Sequence, residues 1–257
     1  MFAKERQEMI RQCLNSRGAV TTSELVDRFG VSIETVRRDL LQMERNGILQ
    51  RVHGGAVLPG GMTPFRELKS RMQENVPRKQ ALCETAAAFI HPGDTIAVDA
   101  GSTAVVFAEV LKERFSDLTV VTYSLDVFEL LRNYKAFQVI LCGGSYMAQE
   151  NLLCGPLAET MMSMLHVSKA FLFPTAISLQ YGICNHIPQC YTMFGALKRS
   201  ADQCFILADS SKFERSDLLK QDDTTSGYYY ITDPDLPEGI RNMYQENHIT
   251  IITEAEQ

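Results

Sequence analysis

Apolar residues recur at helical spacing in three segments near the start of the chain, and tight turns separate these segments. The first helix is predicted over residues 4–16. Thr21 and Glu24 match a capping box that opens the second helix, because a hydroxyl and a carboxylate at this spacing satisfy free backbone amides. Ser32 is placed to cap a third helix that runs to about Asn46. The predicted order is helix, helix, tight turn, helix.

The pattern becomes extended after the third helix and changes again near residue 58. The sequence ILQRVHGGAVL (48–58) has two short extended runs about a Gly-Gly turn, which predicts a small β-ribbon. The sequence PGGMTP (59–64) is a loop by composition. We therefore expect a first domain over residues 1–58, a linker over 59–75 and a second domain over 76–257.

The second domain alternates strand-like apolar runs with amphipathic helical patterns. The strand-like runs are TIAVDA, LTVVTYS, FQVILCG, KAFLFPTAI, CFILAD, YYYIT and ITIIT. The helical patterns that separate most of them cover residues 103–114, 125–133, 157–165 and 191–201. Such alternation is typical of a largely parallel sheet covered by helices. The second domain is therefore predicted to be a Rossmann-like α/β domain with a mostly parallel sheet.

The third helix carries an apolar stripe with two arginines outside it. The stripe consists of Ile33, Val36, Leu40 and Met43. At about 100° per residue these positions share one face, which is predicted to be buried. Arg38 then lies nearly opposite the stripe, beside Arg37. The alternative interpretation is a solvated helix face on which Glu34 and Arg38 form an ion pair.

An exposed helix that bears arginine and follows a tight turn is suited to the major groove of DNA. Guanidinium groups bind phosphates or pair with guanine, and hydroxyls near the start of the helix reach phosphates or bases. The ribbon would meet the neighbouring backbone. The residues predicted to contact DNA are Thr22, Ser32, Thr35, Arg37, Arg38, Arg51 and His53. For His53, the role of a plain turn residue explains the sequence equally well.

The formal net charge of −6 argues against a nucleic-acid partner until the chain is divided. Residues 1–58 contain nine Lys or Arg and seven Asp or Glu, and eight of the nine cations are arginine. Arginine is the cation best suited to planar contacts with phosphate or guanine. The acidic excess therefore lies in the second domain, and the charge of the first domain permits binding to DNA.

No metal, cofactor or membrane span is expected. The seven cysteines are scattered without a C-x-x-C pair, and the charged start of the chain lacks the apolar run of a signal peptide, so we expect reduced thiols in the cytoplasm. Cys184, His186 and Cys190 match no standard zinc spacing. Residues 170–197 contain no charged side chain, but prolines and polar residues interrupt them too often for a spanning helix.

The sequence AVDAGSTAVVFAEVL predicts a strand, a glycine-containing loop and a helix. Free amides at the start of that helix, from about Ser102 to Ala104, are suited to holding an anion, and Asp99 is placed to accept hydrogen bonds from sugar hydroxyls. An ordinary helix cap explains the same loop. Further polar residues follow other strands, namely Thr122, Ser124, Gly143, Gly144 and the segment 209–212. Strand ends that converge on one sheet edge are the expected ligand position in open α/β folds.

The segment VTTSELVDRFGVSIETVRRDLLQMERNGILQRVHGGAV (20–57) strongly resembles the DNA-binding domain of DeoR/GlpR-type bacterial transcription regulators. The resemblance continues nearly to the end of the chain. It implies a winged helix-turn-helix that binds double-stranded operator DNA, usually as the repressor of a sugar-catabolic operon. In that family the residues that match Thr35, Arg37 and Arg38 lie on the recognition helix.

The second domain resembles the DeoR-type sensor, whose fold is similar to that of sugar-phosphate isomerases such as ribose-5-phosphate isomerase. The motifs that carry this resemblance are D-x-G-S-T, T-x-S, GG and DSSKF. It implies a phosphorylated sugar or a related metabolite as effector. The expected effector-binding residues are Asp99, Gly101, Ser102, Thr103, Thr122, Tyr123, Ser124, Gly143, Gly144 and Lys212.

Three positions depart from the family pattern. Tyr123 stands where the family usually has asparagine, and Ser178 and Gln189 stand where acids are usual. Isomerase chemistry needs a carboxylate base for proton abstraction, so the missing acids argue against an enzyme. The expectation is therefore a non-enzymatic regulator that acts as a dimer or tetramer, because operators usually mirror protein symmetry. The alternatives are a sugar-phosphate isomerase with an accessory DNA-binding domain, and an interaction protein whose VRRDL segment binds an acidic partner.

Overall fold

A computed structural model describes residues 2–17, 19–46, 48–52, 54–57 and 66–254 of the chain. The elements of the amino-terminal domain are α1 (Ala3–Arg17), β1 (Ala19–Thr21), α2 (Thr22–Phe29), α3 (Ile33–Arg45), β2 (Gln50–Val52) and β3 (Gly55–Val57). The three strands form an antiparallel sheet in the order β1-β3-β2. Three helices followed by this ribbon make a winged helix-turn-helix, which confirms the predicted fold.

The helix caps lie where the sequence predicts them. The hydroxyl of Thr21 accepts a hydrogen bond from the Glu24 amide (3.1 Å), and that of Ser32 accepts one from the Thr35 amide (3.3 Å). Between α2 and α3, Gly30 adopts a left-handed conformation (φ 61°) that ends α2. The predicted positions of the caps and of the tight turn are therefore confirmed.

The buried face of α3 differs from the predicted stripe at its first residue. Val36, Leu40 and Met43 are buried, but the Ile33 side chain is 46% exposed. Side chains lean toward the amino terminus of their helix, so a residue in the first position points past the packed part of the domain. The prediction that Ile33 is buried was therefore wrong. The polar residue Asp39 lies on the buried face instead.

Strand β1 was not predicted, and it explains one of the two glycines in the ribbon. A Cβ atom on Gly55 would lie 2.1 Å from the carbonyl oxygen of Val20. Only glycine therefore fits where β1 meets β3. Three residues are too few to give a period-two pattern, and the sequence contains no other signal for this strand.

The second domain contains twelve strands within the described residues. In chain order they are β4 (Thr95–Val98), β5 (Leu118–Thr122), β6 (Phe137–Leu141), β7 (Ser145–Met147), β8 (Leu152–Cys154), β9 (Val167–Leu172), β10 (Ala176–Ser178), β11 (Gly182–Asn185), β12 (Ala201–Leu207), β13 (Leu219–Asp222), β14 (Tyr229–Ile231) and β15 (Ile251–Ile252). Seven of them form one parallel sheet in the order β15-β14-β12-β9-β4-β5-β6. Each of the seven predicted runs contributes a strand to it, so the predicted α/β class is confirmed.

The helices of this part of the chain are α4 (Leu68–Gln73), α5 (Val76–Ala87), α6 (Ser102–Arg114), α7 (Leu125–Leu131), α8 (Pro156–Ser163), α9 (Tyr191–Ser200) and α10 (Glu238–Glu246). Two large clusters of buried apolar side chains pack against the sheet. Four of the helices match the predicted patterns closely; α4, α5 and α10 were not predicted. The buried residues of α5 include Lys79 and Thr85, which obscure its apolar face.

The run KAFLFPTAI divides between two sheets. Strand β9 ends at Leu172, and β10 begins at Ala176 in a separate antiparallel sheet of order β10-β11-β13. Pro174 lies between them, and proline has no amide to continue a ladder of hydrogen bonds. The chain therefore leaves the central sheet at this point and carries Thr175 to its carboxyl edge.

No helix in the described parts of the chain combines the length and the apolar character needed to cross a membrane. All seven cysteines are described, and all are buried free thiols.

Candidate DNA-binding surface and ligand pocket

The exposed face of α3 presents Arg38 to solvent. Its side chain makes no hydrogen bond or ion pair with any residue that the structure describes. Together with Thr35, Leu41 and Arg51 it lines an open concave surface between α3 and the ribbon. A cation without an intramolecular partner on such a surface is free to meet a phosphate or a base edge.

Arg37 lies beside Arg38 and has a partner on its own helix. Its Nη1 atom lies 3.1 Å from Oε1 of Glu34, and both side chains are more than half exposed. Exposed pairs of this kind contribute about 0–1 kcal/mol, so DNA can displace Glu34 at little cost. The Glu34–Arg38 pair of the alternative interpretation is absent, because Glu34 contacts Arg37 instead.

The acid that follows the two arginines does not neutralise them. Asp39 points into the domain, where its Oδ2 atom lies 2.6 Å from Nε of Arg6 on α1. Both side chains are less than a tenth exposed. In the triplet Arg37-Arg38-Asp39 the two cations therefore point outward and the anion points inward. The buried Arg6–Asp39 pair fixes α3 against α1.

The ribbon is held against α3 by a backbone contact. The Arg51 amide donates to Oε1 of Glu44 on α3 (2.8 Å), and the Arg51 side chain is exposed. The Thr22 amide donates to the carbonyl oxygen of Gly54 (2.7 Å), which joins the start of α2 to the turn of the ribbon. Ser32 is exposed at the start of α3. His53, the remaining predicted contact, lies outside the described residues.

A pocket lies at the carboxyl edge of the sheet, where β4, β9 and β12 end. Residues from these strand ends line it together with the corner between α4 and α5; they include Gly101, Ser102, Thr103, Thr175, Asp209 and Lys212. Four of the ten predicted effector-binding residues are thus brought together, namely Gly101, Ser102, Thr103 and Lys212.

The conformation of Gly101 opens one wall of this pocket. Its φ of 119° and ψ of 175° belong to a region that glycine alone adopts readily. Gly101 precedes α6, and no side chain caps the amides at the start of this helix. The amides and the positive end of the helix dipole therefore favour an anion beside Ser102 and Thr103.

Two lysines provide positive charge in the pocket. Lys79 is almost fully buried, and its Nζ donates to Oγ of Ser102 (3.1 Å) and to the carbonyl oxygen of Arg71. Burial lowers the pKa of Lys79 to about 8. Lys212 is half-buried, and its Nζ makes no hydrogen bond or ion pair with the described residues. Burial also lowers the pKa of Lys212, against the opposing charge of Asp209. A bound anion would therefore stabilise the protonated forms of both lysines.

The segment between the domains supplies three further pocket residues that were not predicted, namely Arg71, Glu74 and Asn75. Arg71 on α4 is largely buried and forms an ion pair with Glu150. The side-chain amide of Asn75 donates to Asp209 and to Ser211, at 3.2 Å each. The sequence assigned residues 59–75 to a linker, and no periodic pattern indicates that residues 66–75 contact the sheet domain.

Asp99 lies behind the pocket rather than on its wall. Its carboxylate accepts hydrogen bonds from the amides of Ala100 (2.8 Å) and Phe173 (3.1 Å) and from the hydroxyl of Tyr123. Burial raises the pKa of Asp99 despite these three donors. Tyr123, which stands where the family usually has asparagine, thus occupies an acceptor that the sequence analysis assigned to a sugar hydroxyl. Direct contact of Asp99 with the effector stays a prediction.

The other predicted pocket residues have structural partners. The Thr122 hydroxyl accepts from the Ser124 amide (3.1 Å), and Ser124 caps α7 by accepting from the Val127 amide (3.3 Å). A Cβ atom on Gly144 would lie 2.6 Å from the carbonyl oxygen of Cys154, so this glycine permits close packing of the β7–β8 hairpin. The amide of Gly143 contacts the sulfur of Met161 on α8. None of these four residues lines the pocket.

His186 joins two acids behind Arg71. Its Nε2 atom lies 3.5 Å from Glu150, and its Nδ1 atom lies 3.6 Å from Asp217. Burial opposes protonation, but the neighbouring carboxylates of Asp217 and Glu150 outweigh it and raise the pKa of His186. No cluster suited to a metal ion occurs among the residues that the structure describes.

Comparison with known families matches both domains. Residues 6–60 match the DeoR-like helix-turn-helix domain, and residues 74–234 match the DeoR C-terminal sensor domain. The chain is 30% identical over 243 residues to a putative aga operon transcriptional repressor of Escherichia coli O157:H7, covering 92% of this chain and 90% of that protein. It is 27% identical to the L-fucose operon activator of Haemophilus influenzae, covering 96% and 98%.

One solved structure matches about half of the chain at low identity. Ribose-5-phosphate isomerase A of Methanocaldococcus jannaschii is 17% identical, covers 52% of this chain and 53% of its own, and has a TM-score of 0.39. The family that matches both domains is one of regulators, so the alternative of an isomerase with an accessory domain is not supported. The chain belongs to the DeoR family and is a DNA-binding transcription regulator.

Proposed function

We propose that this regulator represses a carbohydrate operon and that a phosphorylated sugar or a related metabolite controls its affinity for the operator. The observation that carries the proposal is the pocket at the sheet edge. There the uncapped start of α6 faces Lys79 and Lys212, two buried or half-buried cations with lowered pKa values. A phosphate group has the charge and the acceptor oxygens to pair with both lysines and the free amides.

The relatives support sugar control without fixing its direction. One is named as a repressor of the aga operon and another as an activator of the fucose operon. Repression is therefore proposed by analogy with the former, while the pocket supports the chemistry of the effector. Thr175 and Asp209 also line the pocket and add polar groups beside the lysines.

The regulator is proposed to act as a dimer or tetramer in the cytoplasm, where its operator lies. Two winged domains related by a two-fold axis read two half-sites one helical turn or a multiple apart, so the operator would be an inverted repeat that mirrors the protein. The charge distribution supports binding to DNA by residues 1–58, because the acidic excess lies outside this segment and its arginines on α3 face outward.

The test combines DNA binding with a ligand screen on the full-length protein. Gel-shift titration uses DNA from upstream of the protein's own gene, and thermal-shift assays use a panel of pentose, hexose and amino-sugar phosphates with the unphosphorylated sugars as matched controls. We expect specific binding to DNA and a rise in melting temperature with one phosphorylated compound, which then changes DNA affinity. Absence of DNA binding at low salt contradicts the regulatory role on this operator. Equal shifts with phosphorylated and unphosphorylated sugars contradict the phosphate pocket.

A further inference from the structure

We propose that Arg71 binds the phosphate group of the effector and that α4, which carries Arg71, transmits the occupancy of the pocket to the DNA-binding domain. This inference rests on the proposed phosphorylated effector. It assigns a ligand-binding role to a residue that lies outside the sensor motifs, together with a route for the signal.

The guanidinium group of Arg71 faces the start of α6. A Cβ atom built on Gly101 would have Nη1 of Arg71 as its nearest neighbour, at 3.9 Å. The other two nitrogens have partners, since Nη2 donates to Glu150 and Nε donates to the carbonyl oxygen of Arg66 (3.0 Å). Nη1 makes no hydrogen bond with the described residues, so it is the donor left for an anion held by the amides of α6.

The ion pair with Glu150 fixes this donor in place. Glu150 is buried in the turn between β7 and β8, and its other oxygen lies 3.5 Å from Nε2 of His186. The guanidinium group is thus held by a buried carboxylate in this turn. A cation fixed in this way is oriented before the ligand arrives, which lowers the entropy cost of binding.

The pocket also holds α4 through its backbone. Nζ of Lys79 donates both to the carbonyl oxygen of Arg71 and to Oγ of Ser102, so a single cation joins α4 to α6. Asn75, with a left-handed conformation (φ 52°), ends the corner after α4 and is tied to Asp209. A ligand that contacts Lys79 and Arg71 therefore acts on the side chain and the backbone of α4 together.

The chain itself connects α4 to the ribbon of the DNA-binding domain. Helix α4 has six residues and is the first element described after β3, from which residues 58–67 separate it. An isolated helix of this length is unstable in water, so tertiary contacts decide whether it forms and where it lies. A change in those contacts on ligand binding therefore changes the anchor point of the segment that leads to the DNA-binding domain.

A purely structural ion pair is the alternative role for Arg71, and hydrogen–deuterium exchange on the full-length protein separates the two. The probe is inorganic phosphate, with chloride at matched ionic strength as control. We expect phosphate to slow exchange at least about fivefold both at residues 102–106 and at 66–75, since binding there stabilises α4. Slower exchange at 102–106 with no change at 66–75 overturns the proposal, and this measurement needs no variant.

Two variants sharpen the result. Lys212→Gln removes a pocket cation that follows β12 and is not carried by α4, and Arg71→Lys keeps the charge while losing the guanidinium fork. For Lys212→Gln we expect about tenfold weaker phosphate binding, the effect of about 1.4 kcal/mol, with both the exchange response and the change in DNA affinity restored at saturation. For Arg71→Lys we expect that saturating phosphate changes neither the hydrogen exchange of residues 66–75 nor the affinity for DNA.

If the Arg71→Lys variant, saturated with phosphate, still shows the full change in DNA affinity, the transmitting role is overturned. If wild-type protein shows no melting-temperature shift with phosphate or any sugar phosphate, the proposed effector class fails and this inference fails with it. Normal phosphate binding by the wild type with an unaltered response in Arg71→Lys instead contradicts the inference alone.

Discussion

The two domains present cations to anions in opposite environments. In the amino-terminal domain Arg37 and Arg38 extend into solvent from α3, and their only described acidic neighbour in contact is the exposed Glu34. In the sensor domain Lys79 and Lys212 are buried or half-buried at a sheet edge, and burial lowers the pKa of both. The first surface suits a long, hydrated polyanion, and the second suits one small anion that is stripped of water.

This difference predicts different responses to solution conditions. Binding at the exposed surface releases counterions from DNA, so it weakens steeply with salt. Binding in the pocket involves Lys79, whose pKa is lowered to about 8, so it depends on pH, and salt screens it less. One protein thus separates the reading of DNA from the sensing of a metabolite by the degree to which each site is exposed.

The largest effect is expected where the DNA-binding domain does bury charge. Asp39→Ala removes the carboxylate that pairs with the buried Arg6 guanidinium. We expect a loss of about 3–5 kcal/mol in the free energy of unfolding, because the ion pair is broken while the cation stays buried. Urea denaturation followed by circular dichroism measures the loss, and hydrogen exchange in α1 and α3 assigns it to this domain.

The matched control is Asp27→Ala on the exposed part of α2, for which a change below about 0.5 kcal/mol is expected. The double variant Arg6→Met with Asp39→Leu should recover most of the stability, since it removes both charges. A double variant as unstable as the single one would show that packing, rather than charge, explains the loss.

The next effect concerns the exposed cations. Arg38→Ala is expected to lower DNA affinity by about 1–3 kcal/mol if Arg38 pairs with a base, or to reduce the salt slope by about 1 if it contacts a phosphate. The domain should stay folded, because the side chain has no described partner to lose. Fluorescence anisotropy at several salt concentrations measures both quantities. Arg45→Ala, an exposed arginine in the last turn of the same helix, is the control; equal losses would place the DNA elsewhere.

The buried Lys79 should make both the stability of the protein and the anion affinity of the pocket depend on pH. The pKa of Lys79 falls from 10.5 to about 8 in the folded protein. Burying the protonated lysine therefore costs stability below about pH 8, and this cost disappears as the pH rises toward 10.5. A bound anion favours the protonated form, so anion affinity should fall as the pH rises through 8, by about tenfold for one lost ion pair of roughly 1.4 kcal/mol.

Calorimetry with inorganic sulfate between pH 7 and 9.5 tests this dependence, since sulfate is fully ionised over that whole range. The Lys79→Gln variant should bind the anion more weakly at pH 7, and its affinity should fall much less as the pH rises. Lys212, Arg71, Asp209 and Glu74 also face Lys79. Because the pKa of Lys212 is lowered as well, Lys212→Gln is measured in parallel. A decline that persists in Lys79→Gln and vanishes in Lys212→Gln would assign the titration to Lys212.

The smallest effect is expected behind the pocket. Tyr123→Phe removes one of three donors from the buried carboxylate of Asp99. Two amides remain, so the expected loss in the free energy of unfolding is about 1–2 kcal/mol, and the pKa of Asp99 should rise further. Thermal unfolding measures the loss, and the sugar-phosphate panel shows whether the freed oxygen alters ligand preference. A loss above about 4 kcal/mol would indicate that Tyr123 organises the whole strand edge.

The sequence predicted both folds because their signals are local. Caps at Thr21 and Ser32 depend on neighbours three residues away, and each strand of the central sheet is a short apolar run between turn residues. The outward direction of Arg38 also follows from the spacing of Val36, Leu40 and Met43 along one helix. Ile33 was wrong because periodicity gives a direction around the helix but not the depth to which each turn is packed.

The ligand pocket was predicted only where a motif carried it. The glycine and hydroxyls of Gly101–Thr103 follow a strand and open a helix, and Lys212 follows another strand in the same way. Asp99 was predicted from its position at a strand end, and its direct contact with the effector stays a prediction, because strand position does not show which protein donors reach the carboxylate. Tyr123 reaches it, from a neighbouring strand 24 residues later.

The sequence by itself determined the order of elements, the family and the outward arginines, because each depends on residues close together in the chain. The tertiary structure alone decided which charges are paired and buried. Arg6 meets Asp39 across 33 residues, and Arg71 meets Glu150 across 79. Such contacts leave no periodic trace, since a buried ion pair depends on the folded positions of two distant segments rather than on the pattern within either one.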